Sequence, residues 1–202
     1  MLTLSGDRSV AWSPDGKLLA TANGDDVCMW DTTSGRELLT IGGHTSEVRS
    51  VAWSPDGKRL AAASDDRTAK VWAAVRGQEL QTLRGHTRQV KSVTWSPDGK
   101  RLVTAGDDGT EKVWDAASGQ ELLTLRGHNY SVNSVAWSPD GKRIASASAD
   151  QTIRIVTTVY ALDVHNLIAL ARERFIDDPS VDSCKKYLHV DKCPSFPELP
   201  WW

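Results

Sequence analysis

Residues 43–72 are written again 42 places later, at 85–114, with 21 of the 30 positions identical. Identity that dense at one fixed offset marks duplicated structural units, and it constrains the fold more than any other feature. Related text returns twice more. Ser-Pro-Asp-Gly stands at 13–16, 54–57, 96–99 and 138–141, and Gly-His at 43–44, 85–86 and 127–128. Within each unit, short apolar runs alternate with turn text. Val51-Ala-Trp53 and residues 59–64 flank Pro-Asp-Gly, and Asp65-Asp66-Arg67 leads into Lys70-Val-Trp72. Strand formers bounded in this way predict antiparallel hairpins. A further apolar run follows Ser34-Gly35, Arg76-Gly77 and Ser118-Gly119, at 38–41, 80–83 and 122–125. Each period therefore holds four strands, the content of one propeller blade.

These motifs resemble the WD-repeat family of β-propellers. The resemblance rests on Gly-His, then Ser-Pro-Asp-Gly, then Asp six places before a closing Trp, with Trp-Asp at 30–31 and 114–115, and it spans about residues 1–156. The near-identical copies with Ser-Pro-Asp-Gly-Lys-Arg text are similar to bacterial members. The expected fold is all-β: four blades forming part of a ring over residues 1–160, followed by a small α-helical tail over 161–202.

The copies are unequal. The second lacks the Asp of Trp-Asp, having Ala73, and the fourth has Val156 in place of the closing Trp. The first has Ser5-Gly6-Asp7 where Gly-His is expected and is one residue short at its second turn, around Asp25-Asp26. Residues 1–4 copy the text of an outer strand, and rings of this family are usually closed by an N-terminal strand that completes the last blade. Residues 157–161 are a further candidate outer strand.

Asp163 reads as an N-cap for a helix over 164–175, because Val164, Leu167, Ile168, Ala171 and Phe175 share one face. A helix of that length is marginal alone, so its apolar face predicts docking onto the last blade. Ser180 is placed to cap a shorter helix, and prolines at 194, 197 and 200 predict an extended end. The final Trp201-Trp202 is either a docking peptide or a pair folded back on the propeller.

His44, Ser64, Asp66 and Trp72 look like the parts of a hydrolytic triad. The resemblance implies a structural role instead: a buried hydrogen-bond chain of indole, hydroxyl, imidazole and carboxylate inside one blade. Buried polar groups need such partners, since an unsatisfied one costs about 1–3 kcal/mol. The corresponding residues are His86, Asp108 and Trp114, with Gly106 at the Ser position; His128, Ser148 and Asp150; and Asp25 and Trp30, with Asn23 at the Ser position. On this reading the second blade is the most stable and the first and fourth the least. Trp12, Trp53, Trp95 and Trp137, one before each Ser-Pro-Asp-Gly, are expected to pack between blades.

Function is expected where the copies disagree. The resemblance implies a partner-binding top face, built by the loop after Gly-His and the turn before the signature Asp. Carried over by position, it comprises Arg8 and Gly24; Glu47, Arg49 and Asp65; Gln89, Lys91 and Asp107; Ser131, Asn133 and Ala149. Both charges are present, which suits a polar or charged peptide; the other reading of the same residues is a solvated rim.

The net charge of −2 gives no reason to expect nucleic acid as a partner. No long apolar stretch predicts a membrane span or a leader, so a cytoplasmic protein is expected. Cys184, His189 and Cys193 admit zinc, a disulfide or free thiols; three ligands fall short of a structural zinc site, so neither metal nor cofactor is expected.

The expected function is a non-catalytic scaffold for protein–protein interaction, a module of a signalling or regulatory assembly. The alternatives are a repeat that assembles only with itself and an enzyme using the C-terminal cysteines. Because four copies make half of a typical ring of this family, the chain is read as part of a longer propeller, as one half of a homodimeric ring, or as an array capped by its tail.

Overall fold

The computed structural model describes residues 3–6 and 8–158. The chain divides between Leu162 and Asp163, and the architecture below is that of the first unit. Among the described residues, fifteen strands form four antiparallel sheets in sequence order. The first sheet is β1 (Val10–Trp12), β2 (Leu18–Asn23), β3 (Asp26–Asp31) and β4 (Glu37–Ile41). The second is β5 (Val48–Trp53), β6 (Arg59–Ser64), β7 (Thr68–Ala73) and β8 (Gln78–Arg84). The third is β9 (Val90–Trp95), β10 (Arg101–Gly106), β11 (Glu111–Asp115) and β12 (Glu121–Leu125). The fourth has three strands among the described residues: β13 (Val132–Trp137), β14 (Arg143–Ser148) and β15 (Ile153–Thr157).

Local chemistry explains why each sheet starts alike. The Ser of each Ser-Pro-Asp-Gly donates to the Asp two residues on and accepts from the backbone N–H that opens the next strand, as in Ser54 Oγ to Asp56 Oδ1 at 2.5 Å and Arg59 N to Ser54 Oγ at 2.9 Å. The glycine that follows has φ near +70° in all four copies, a conformation side chains disfavour.

Apolar residues gather between the sheets. One core takes Ala20, Ala22, Val27 and Met29 from the first sheet and Val48, Val51, Trp53 and Leu60 from the second. The next joins Ala61, Ala69 and Val71 to Val90, Val93 and Trp95; the last joins Val103, Ala105 and Val113 to Val132, Val135 and Ile144. Burying a large apolar side chain contributes about 1.5–3 kcal/mol, so these junctions, repeated three times, hold the array together.

The ends differ from expectation. Thr3 and Leu4 belong to no strand. Instead the Ser5 carbonyl accepts from Thr21 Oγ1 at 2.9 Å, which ties this segment to the first blade. Thr157 belongs to the third strand of its sheet, paired with Arg143, and does not start a fourth. The helix expected over 164–175, the Cys184–His189–Cys193 cluster and Trp201-Trp202 lie outside the described residues. The interblade tryptophans also part company: Trp53 and Trp95 are buried, whereas Trp12 is exposed.

Candidate interaction face

The third blade carries an unbroken polar chain. Trp114 Nε1–H donates to Thr104 Oγ1 at 2.9 Å, and Thr104 Oγ1 lies 2.8 Å from His86 Nε2. His86 Nδ1 faces Asp108 Oδ2 at 2.9 Å. The directions agree if the indole feeds the hydroxyl, the hydroxyl feeds Nε2, and Nδ1–H feeds the carboxylate. Asp108 also accepts from Thr110 Oγ1 and from the N–H groups of Thr110 and Thr87. Burial alone would raise its pKa, but these bonds, that from His86 foremost, outweigh burial and hold it below the usual carboxylate range.

The hydroxyl in this chain is not at the position expected from the motif. In the second blade Ser64 donates to the Ser46 carbonyl at 2.8 Å and accepts from Asp66 N at 3.1 Å, so it pins the turn and takes no part in a relay. Ser148 does the same with the Tyr130 carbonyl and Asp150 N. The relay position lies two residues earlier on the strand, where residues share a face. It is Thr21, Ala62, Thr104 and Ser146 in the four blades. Ser146 reaches His128 Nε2 at 3.0 Å, and His128 Nδ1 lies 2.8 Å from Asp150. In the first blade Trp30 Nε1 donates to Thr21 Oγ1 at 3.0 Å, and the Ser5 carbonyl stands where the imidazole would. Asp25 is exposed and makes no hydrogen bond among the described residues.

Ala62 breaks the chain in the second blade. His44 Nδ1 meets Asp66 Oδ2 at 2.7 Å, but His44 Nε2 is buried without a partner, and the ring stands edge-on to Trp72 with centroids 5.5 Å apart. Burial lowers the His44 pKa, against the opposing pull of Asp66. The complete motif of the second blade thus carries the incomplete chain, and the third blade carries the complete one.

Above these ties the variable residues meet in two groups. The backbone brings loop and turn together within a blade: Asp65 N donates to the Glu47 carbonyl, Asp107 N to Gln89 and Ala149 N to Ser131. In the first group Glu47 lies between Arg8 at 3.1 Å and Arg49 at 3.2 Å, and Arg49 forms a two-pronged pair with Asp65. In the second, Lys91 lies 2.8 Å from Gln89 and 3.2 Å from Asp107; Ser131 donates to Asp107 and is 3.1 Å from Asn133.

The family model for the WD domain, G-beta repeat, matches residues 2–31, 35–73, 77–115 and 119–156. The chain belongs to the WD-repeat family. Each matched segment holds the first three strands of one sheet, and from the second segment on it begins with the outer strand of the sheet before. WD repeats in general act as protein-interaction scaffolds. A search of curated proteins finds no match. Between the third and fourth WD blades the top face opens into a cleft of about 570 Å³, lined by Thr87, Arg88, Asp107, Gly109, Asn129 and Tyr130 among others. Arg88 and Tyr130 were not among the residues marked by the motif; they occupy one loop position in two copies, where the second blade has Ser46. Both are exposed, and Arg88 has no ion pair among the described residues, whereas Arg8, Arg49 and Lys91 are each matched by a carboxylate.

Proposed function

We propose that this protein is a non-catalytic scaffold whose top face binds a polar, charge-bearing peptide of a partner protein, with the cleft between the third and fourth blades as the principal seat. The observation carrying this reading is the contrast between the two top-face groups. Around Glu47 the charges neutralise one another, leaving little for a ligand to gain. At the cleft, Arg88 offers an unpaired guanidinium suited to a carboxylate, and Tyr130 offers an aromatic surface beside it. The histidines and carboxylates beneath are engaged in ties within the blades, which favours a structural over a catalytic role for them. A cytoplasmic place in a signalling or regulatory assembly is part of the same reading.

Peptides selected from a random library against the whole chain test it. Binders should lose at least tenfold in affinity with Arg88→Glu, Tyr130→Ala or Asp107→Lys, and keep it with Lys58→Glu at the opposite end of the second blade. Selected peptides indifferent to all three cleft substitutions would sink the proposal.

A further inference from the structure

The internal junctions share a pattern, although at the third Trp137 Nε1 is buried without a partner, and the two ends of the array display its unmatched halves. At each junction the front of one blade, led by the Trp of its first strand, enters the back of the blade before it. Trp53 Nε1 donates to the Ala11 carbonyl and Trp95 Nε1 to the Ala52 carbonyl, both at 3.1 Å. Val51, Val93 and Val135 N–H groups donate to Ser9, Ser50 and Ser92 hydroxyls. The Arg59 guanidinium lies 4.4 Å from the Trp95 ring and also donates to Gly99 and Ala116 carbonyls; Arg101 lies 5.8 Å from Trp137. The turns nest with constant spacing, since a Cβ on Gly57, Gly99 or Gly141 would stand 3.6 Å from the Cδ of Pro14, Pro55 or Pro97.

The first blade presents the front half without a mate. Trp12 is 61% exposed where Trp95 is 5%, Val10 is likewise exposed, and the space around Gly16 is empty to 4 Å. The fourth blade presents the back half. Ile153 and Ile155 are 74% and 66% exposed, while Val113, at the position of Ile155 in the third blade, is wholly buried. Arg143 occupies the place of Arg59 and Arg101 and is exposed, with no Trp beneath it among the described residues. Strands in substantial contact across sheets link only neighbours, so the first and fourth blades do not supply each other's missing half.

We infer that these faces receive a second copy of this chain, head to tail, so that two copies close a ring of eight blades. The occupant follows from continuity with the three existing junctions: the front that fits behind Ile155 and Arg143 is the front that Trp12 leads. The junction would place Trp12 Nε1 against the Ala136 carbonyl, Val10 N–H against Ser134, and Gly16 against Pro139 of the other copy. Eight blades lie within the range that rings adopt, and a head-to-tail contact closes only when its rotation completes a circle. Closure also removes apolar surface that would otherwise face water.

The test uses the whole chain and measures mass in solution by sedimentation equilibrium. Wild type should have twice the mass of one chain. Trp12→Asp and Ile155→Asp should each sediment as single chains while keeping the wild-type far-ultraviolet spectrum, because both positions are exposed within one copy. Mixing the two variants should restore a pair, since each retains the half that the other has lost. A wild-type monomer, an open-ended series of masses, a pair that survives either single substitution, or a mixture that stays monomeric would overturn the inference.

Discussion

The second and third blades are nearly the same text, yet they are held together differently. The second has the full set His44, Ser64, Asp66 and Trp72 and still leaves His44 Nε2 buried without a partner. The third has Gly106 in place of Ser and nonetheless joins Trp114 to Asp108 without a gap. At the relay position the second blade has Ala62, without a hydroxyl, where the third has Thr104, and that difference opens the gap. The comparison teaches that the tie depends on a hydroxyl in the middle of the second strand, where an unpaired imidazole can be reached, and not on the serine beside the Asp.

The comparison can be broken most severely at its anionic end. Asp108→Ala should lower stability by about 3 kcal/mol, because His86 Nδ1, Thr110 Oγ1 and two backbone N–H groups lose their acceptor together. Urea unfolding, read as a change of midpoint at constant slope, measures it. Thr104→Val comes next, at about 2 kcal/mol, since shape is kept while Trp114 Nε1 and His86 Nε2 lose their shared partner. If it proves neutral, the relay carries no stability.

Repairing the second blade should give a smaller effect of opposite sign. Ala62→Ser offers His44 Nε2 a donor, as Ser146 does for His128, and should stabilise by about 1 kcal/mol. Loss of stability instead would mean that the space around Ala62 cannot hold an oxygen. The smallest effect is that of pH. Burial lowers the His44 pKa from 6.5. The unfolded chain therefore takes up this proton first, so its contribution is complete above pH 6.5 and declines as pH falls below that value. The lowered carboxylates Asp66 and Asp108 follow only below 3.8, their ordinary value. Comparing unfolding midpoints at pH 7.5 and 5.5, wild type should lose stability and His44→Gln should lose less; equal losses would mean that His44 is not the group responsible.

Much of the fold was legible because a repeated sequence reports its own geometry. The fixed offset, the glycine of Ser-Pro-Asp-Gly and the alternation of short apolar runs foretell four sheets of antiparallel strands. What was misread concerns single atoms. Ser64 lies two residues before Asp66 and on the same strand face as Ala62, but it ends its strand, where its hydroxyl bonds the Ser46 carbonyl and the Asp66 N–H. The true relay position carries a hydroxyl in three copies of an otherwise apolar strand, at Thr21, Thr104 and Ser146, and that signal was available. The ends were harder. Residues 1–4 have outer-strand text, but the pairing of an outer strand is decided by what lies beside it, and the bond from Thr21 draws the following residue, Ser5, to the first blade. The cleft residues Arg88 and Tyr130 escaped because motif positions mark where loops begin and not which side chains remain unpaired.

Native-state hydrogen exchange followed by mass spectrometry tests the central claim most directly. The hairpin of β10 and β11, residues 101–115, should exchange more slowly than its counterpart of β6 and β7, residues 59–73, and Ala62→Ser should narrow the difference. Equal exchange in the two hairpins, or slower exchange in the second blade, would contradict the account.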